Sequence, residues 1–362
     1  MLAYIVLFAI LFLLSFLETS SIEFKVAGKS FDGKTLYCIL IFFILSFFMG
    51  FRAESVGSDV VQYIYRYENV DRFVQDGGKI MYEWGYNYLS FFFHDILKVP
   101  FQVFLFFLSL ITCFSVVFVL FRYSDDIFAS LTMYLTIGNF TMSMSGLRQT
   151  LAISLLLCSI YFCEKKKLIP FLLLCLLAYS VHNSSIIFIF SFLLWGIQLT
   201  RKSCFVLFIL SLSAYFVRDL LSLVIEYVMP LRYADIDLNM DYNINVLILV
   251  VPILMILFSL FFLDFDFEKK LNKKDSFFFV FSCVSFVLLL LSLNNNQLGR
   301  LSFYFNTGLL MIVPSALNNQ IRYDANSTKI AKLLILIFSY AYFFISTPGG
   351  TLRIDNYTMF FL

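Results

Sequence analysis

Twelve long apolar stretches make up most of this chain, and none of them holds a charge in its middle. They cover 2–17, 35–50, 101–121, 127–144, 147–163, 168–181, 185–200, 203–217, 244–263, 276–293, 301–317 and 330–346. A helix that crosses a bilayer needs about 17–25 mostly apolar residues. It must be a helix, because backbone N–H and C=O groups in hydrocarbon have only each other as partners. Stretches packed this densely leave too little polar surface to wet a soluble fold. The chain is 61% hydrophobic and 14% charged, whereas a soluble domain carries about 45–50% and about 25%. The expected fold is therefore all-α: a polytopic transmembrane helical bundle of about 12 spans. It reads as one integral membrane domain over 1–362, with its larger polar loops at 51–100 and 218–243. The first stretch lacks a basic leader and a small-residue cleavage site, so it reads as an anchor. A net charge of only +2 gives no sign of a nucleic-acid partner.

The basic residues of the loops set an orientation. One alternating set of loops carries 16 of them, among them Lys165 to Lys167 and Lys269, Lys270, Lys273 and Lys274, and is expected to face the cytoplasm. The other set carries 10, and both termini fall on that outer side. Residue type differs more than number: 13 Lys and 3 Arg inside, 2 Lys and 8 Arg outside. Only charge matters for topology, whereas an arginine fork grips phosphate bidentately and keeps its proton. An outer face rich in Arg suits an anionic ligand, or arginines snorkelling to headgroups. All seven cysteines lie in spans or at their inner ends, and there are only two histidines, so neither a disulfide framework nor a Cys/His metal centre is expected. The spans also lack the central carboxylates of a proton-coupled carrier.

The polar chemistry therefore gathers in the outer loops. Gly57-Ser58-Asp59 precedes Tyr63, Tyr65 and Tyr67. Asp59 with Gln62 fits the start of a helix, and Asp59 also suits a base or a sugar ligand beside aromatic surfaces. Glu83-Trp84-Gly85-Tyr86 opens an amphipathic stretch toward Leu97, expected to lie in the membrane interface, where Glu83 could simply face water. Gly146 precedes Arg148 and Gln149, which open a span; a cation there opposes the helix dipole unless an anion compensates it. His182 leads the turn His182-Asn183-Ser184-Ser185, where either serine fits an N-cap and the imidazole fits proton transfer. Asn294-Asn295-Asn296-Gln297 is dense in amides ahead of Gly299-Arg300, with Arg300 starting a span. Asp235-Ile236-Asp237 could hold Mg2+ but is equally an ordinary acidic loop.

In this order the motifs resemble the EpsG/Wzy group of bacterial polysaccharide polymerases, which includes the O-antigen and capsule polymerases. The carrying features are Gly57-Ser58-Asp59 with its tyrosines, Glu83-x-Gly85-Tyr86, Leu147-Arg148-Gln149-x-x-Ala152, His182 before small residues, Gly299-Arg300 with Tyr304, and the terminal Asn356-Tyr357. The first motif reads Gly-Ser-Asp where Gly-Thr-Asp is usual. The resemblance implies a fold similar to the GT-C class of membrane glycosyltransferases and a place in the bacterial cytoplasmic membrane, with the site facing outward. Its substrate would be an oligosaccharide repeat unit on undecaprenyl diphosphate, as both donor and acceptor, with no cofactor. Membrane lipids surround such a protein, and a chain-length regulator is a partner the resemblance leaves open. On this reading His182 or Asp59 is the base. Arg148 and Arg300, with Arg218, Arg232 and Arg353 behind them, hold diphosphate. Tyr63, Glu83, Gln149, Asn296 and Tyr304 contact sugar. The competing readings are an O-antigen ligase, another glycosyltransferase using a lipid-linked sugar, and a non-enzymatic flippase for lipid-linked oligosaccharides.

Overall fold

The structure is a computed structural model and describes residues 1–26, 29–71, 83–228, 247–262, 268–293, 296–318, 325–350 and 352–361. Within them six helices are long and apolar enough to cross a membrane: Gly33–Gly50, Phe101–Tyr123, Leu147–Glu164, Arg201–Leu220, Lys273–Leu291 and Asn326–Ser346. Six shorter apolar helices occupy the remaining expected stretches. The chain is a predominantly helical integral membrane protein that divides into two compact units. One is Met1–Phe192 with Leu334–Leu362, and the other is Leu193–Leu333.

In the first unit α1 (Leu2–Ser15) is followed by a two-stranded hairpin, β1 (Glu23–Val26) and β2 (Lys29–Asp32), which an all-helical reading did not contain. Asp32 ends the hairpin and caps α2 (Gly33–Gly50) by accepting from the Thr35 N–H at 2.9 Å. Then come α3 (Val60–Glu68), α4 (Trp84–Phe91) running into a π-helical turn over Phe92–Ile96, and α5 (Phe101–Tyr123). The expected 127–144 span is broken into α6 (Ile127–Thr136) and α7 (Asn139–Ser145) by the left-handed Gly138 between them. Gly146 alone separates α7 from α8 (Leu147–Glu164), and α9 (Leu168–Val181) follows. The expected 185–200 span is a 3-10 helix over Asn183–Phe190 and one turn, α10 (Ser191–Leu194). Ile186, Ile187 and Ile189 are β-branched and crowd the preceding turn, which weakens a regular α-helix there.

Helices α5 and α8 run parallel. Their ends are tied by Arg122, whose Nε and Nη2 donate to Glu164 at 2.7 and 2.6 Å, with the Tyr123 hydroxyl 2.9 Å from the same carboxylate. Between them the Ser154 hydroxyl reaches the Thr112 hydroxyl at 3.3 Å, a polar link suited to helices that lipid does not push together. Helix α9 returns along α8 and brings His182 back to the end where α5 and α8 start. An aromatic core of Tyr63, Tyr67, Tyr86, Phe93, Phe101 and Phe104 fills that end, joined by Leu147, Leu151 and Val181. Apolar side chains remain exposed on α9, at Ile169, Leu173, Leu176 and Leu177.

In the second unit α11 (Arg201–Val228) continues past the expected loop boundary, so Arg218 is helical. Next come α12 (Leu247–Phe262) and α13 (Lys273–Leu291), the latter capped by Asn272 accepting from the Asp275 N–H at 2.7 Å. The expected span from 301 is in fact α14 (Asn296–Ser302), a four-residue turn, and α15 (Thr307–Asn318), so Arg300 ends a short helix and does not start a span. Gly308 lies so close to Ser282 and the Phe278 carbonyl that α15 and α13 pack backbone to backbone. Helix α16 (Ala325–Ser346) leads back to the first unit.

Candidate active site

Five of the sequence motifs, spread over three hundred residues, are tied together within the first unit. The tail comes first. Gly57 N–H donates to the Arg353 carbonyl at 3.2 Å, Ser58 N–H to the Leu352 carbonyl at 3.0 Å, and Ala53 N–H to the Thr358 carbonyl at 2.9 Å. The Tyr357 ring stacks on Phe48 at 4.0 Å and its hydroxyl donates to the Phe48 carbonyl at 2.8 Å. The chain ends also meet, since the Met1 ammonium donates to the Asp355 carbonyl at 2.7 Å.

Gly57 has φ +104°, and a Cβ there would stand 2.3 Å from the Met144 carbonyl oxygen, so only glycine lets this loop close on α7. The contact places the Ser58 hydroxyl 2.7 Å from that of Ser145, and Asp59 N–H donates to the same Ser145 oxygen at 3.3 Å. Asp59 holds the N-cap position of α3, but its carboxylate makes no capping bond and accepts from the Ser58 hydroxyl at 2.9 Å. The capping role open to it in the sequence is thus unfilled, and the carboxylate is half-buried beside the segment that leads to Arg148.

Arg148 lies in the first turn of α8, where the helix dipole opposes a cation, and the compensating anion is Glu83. Arg148 Nη1 donates to Glu83 Oε2. The other carboxylate oxygen, Oε1, accepts from the Asn183 N–H at 3.1 Å and lies 3.2 Å from His182 Nδ1. Glu83 does not face water, as the sequence allowed; its side chain is 9% exposed, against 21% for Arg148 and 17% for His182. It stands at the N-cap of α4 in extended conformation without capping that helix, which frees the carboxylate to cross to α8 and α9. Gly85 permits the approach, since a Cβ there would fall 2.8 Å from the Ser180 carbonyl oxygen of α9. Burial pushes the Glu83 carboxyl up, but the His182 contact, the Arg148 charge and the Asn183 N–H outweigh it and hold it at about 2. Glu83 is accordingly an anion at any physiological pH.

Arg52 went unassigned in the sequence, one outer arginine among eight. It is fully buried, and its guanidinium donates to the carbonyls of Val56 at 3.3 Å, Met144 at 2.9 Å and Met49. It thereby pins α2, the Gly57 turn and α7 to one another. Burial lowers its pKa to about 10, which leaves it charged. No composition rule separates this buried cation from a surface one.

The remaining candidates are placed as follows. Tyr63 and Gln149 are buried, Tyr63 in the aromatic core with its ring 5.8 Å from Tyr86, so packing is the role the structure gives that ring and not an open stacking face. Tyr304 is buried in the second unit and Arg300 is exposed there. Arg218 lies over the Tyr215 ring at 4.3 Å and 3.5 Å from Asp219. Arg353 is exposed in the tail of the first unit. Asn296 begins α14, while Arg232 and Asp235 to Asp237 lie outside the described residues.

A helical membrane protein with a half-buried Arg–Glu–His cluster at the shared end of three helices is the class that fold and site define. The particular family is given by its sequence model, which matches residues 35–359: the chain belongs to the EpsG family. No curated protein and no solved structure matches it.

Proposed function

We propose that this protein polymerises oligosaccharide repeat units carried on undecaprenyl diphosphate, at the outer face of the bacterial cytoplasmic membrane. The observation that carries the reading is the meeting of a cation, an imidazole and a carboxylate at one end of the first unit, in a chain of the EpsG family. Transfer of a glycan from a lipid diphosphate needs two things there. A cation must take up charge on the leaving diphosphate, and a base must take the proton of the attacking hydroxyl.

In the reading we favour, the acceptor hydroxyl oxygen attacks the anomeric carbon of the donor glycan. Its proton passes to His182 Nε2, the ring nitrogen that does not face Glu83. The bond from the anomeric carbon to the diphosphate oxygen breaks, and its electron pair leaves with undecaprenyl diphosphate. Arg148 steadies that charge; a donor placed where charge develops is worth about 2.7–4 kcal/mol. A general base contributes about 10²–10⁴ in rate. Asp59 is the alternative base, supported by the half-buried carboxylate that does not cap its helix. Arg300, Arg218 and Arg353 are assigned to diphosphate on their sequence position alone, as is Arg232.

The test is glycan size profiling in cells whose only copy carries Arg148→Lys. Lysine keeps the charge opposite Glu83 but lacks the fork. We expect folded protein at normal abundance with one repeat unit transferred and no longer ladder. A ladder of normal length from that variant would remove Arg148 from the chemistry.

A further inference from the structure

The Glu83 carboxylate is shared, and the sharing is asymmetric. Oε2 is taken by Arg148, while Oε1 faces His182 Nδ1 at 3.2 Å and takes the Asn183 N–H at 3.1 Å. The groups facing His182 are few. Glu83 stands at the N-cap of α4; α8 presents Arg148, its one acid Glu164 standing at the far end of an 18-residue helix; α9 carries only Tyr179 among its last residues. Nothing but Glu83 approaches Nδ1 within ion-pair distance among the described residues. The Nδ1–Oε1 approach is bent away from hydrogen-bond alignment. Bonds of this kind commonly straighten only when the reacting complex forms.

We propose that Glu83 is the positioning residue of His182, fixing the imidazole with its proton on Nδ1 and its lone pair on Nε2 toward the acceptor hydroxyl. This rests on the polymerase reading above and reassigns Glu83, taken from sequence as a sugar contact. A neutral imidazole has one donor and one acceptor nitrogen, and the bond made by one nitrogen sets the role of the other. A permanent anion against Nδ1 selects the tautomer in which Nε2 is bare. It also stabilises the imidazolium formed when Nε2 takes the proton, the part an orienting carboxylate plays in hydrolytic triads. Arg148 on the other oxygen keeps the carboxylate ionised and turned toward His182. One anion thus braces both the base and the cation proposed for the leaving group.

The chain has two histidines, so His94→Gln leaves His182 as the only imidazole. His94 lies beside Glu68 and Asp95, outside the cluster. The experiment is nitrogen NMR of 15N-histidine-labelled His94→Gln protein in lipid nanodiscs, at a pH where the imidazole is neutral. We expect a protonated Nδ1 and a bare Nε2, and in the added Glu83→Ala variant two resonances drawn toward a tautomer average. A proton on Nε2 in the His94→Gln protein overturns the proposal, and so does a tautomer indifferent to Glu83→Ala. In turnover of lipid-linked repeat units, Glu83→Ala should lower kcat about 10²–10⁴-fold with KM within a few-fold, and Glu83→Asp should recover part of it. A raised KM with unchanged kcat would return Glu83 to sugar binding. If the His94→Gln protein keeps the Nδ1 proton but makes no polymer, the polymerase reading fails while the pairing of Glu83 with His182 stands.

Discussion

Replacing Gly85 with alanine tests whether the close packing of α4 on α9 is what assembles the Arg–Glu–His cluster. The added methyl would stand 2.3 Å from the Ser180 hydroxyl oxygen and 2.8 Å from the Ser180 carbonyl oxygen. The hydroxyl can rotate away from its bond to the Leu177 carbonyl, but the carbonyl belongs to the α9 backbone. Ordinary contact begins near 3.4 Å, so α4 must retreat by roughly 0.6 Å, the gap between the two distances. Overpacking of this kind costs about 1–3 kcal/mol. Glu83 lies two residues before the methyl and would move with α4, lengthening a 3.2 Å approach to His182. Misplacement near 1 Å costs about 100-fold in rate, so a loss of about tenfold to a hundredfold is expected. The assay pairs thermal unfolding of the protein in nanodiscs with polymer formation from lipid-linked repeat units. Adding Ser180→Gly removes the hydroxyl and Cβ contacts but leaves the carbonyl, so it should restore only part of both quantities. A Gly85→Ala protein that melts and polymerises like the wild type would refute the claim that this contact positions Glu83.

Two further predictions concern charge. Glu83 is held at about 2, below its ordinary 4.5, so its contribution to stability is complete above about pH 4.5 and is lost as pH falls toward 2. That contribution is on the order of 3 kcal/mol, and Glu83→Gln should flatten the pH dependence of unfolding in that window. An unchanged acid limb in the variant would contradict the picture of Glu83 as an anion held by its partners. Arg52→Met should leave the Met49, Val56 and Met144 carbonyls without their buried donor, at about 1–3 kcal/mol for each one left unsatisfied. A melting temperature equal to that of the wild type would show that those carbonyls find other partners.

Much of the fold was legible along the chain. Segments such as 101–121 and 147–163 are apolar enough to declare themselves, because transfer to hydrocarbon adds up residue by residue along a local window. Breaks were harder to see. The 127–144 stretch stays apolar through Gly138 although the helix stops there, since hydropathy is blind to a left-handed backbone. Hydropathy likewise does not register the turn at 303–306 or the 3-10 path after His182, both of which stay largely apolar.

The site divides in the same way. The sequence by itself determined that the chain is a membrane protein, and that Arg148 at a helix start called for an anion. Only the tertiary structure decided which anion. Glu83 lies 65 residues before Arg148 and 100 before Asn183, and at such separations no periodicity or capping rule relates them. Their meeting depends on α9 running back beside α8 and on a glycine thin enough to let α4 close. The same holds for Arg52, which looks like any loop cation until α2, the Gly57 turn and α7 surround it with carbonyls. Local apolarity selects the helices; the partner of each buried charge is chosen by packing, because burial without a partner costs more than any local preference can supply.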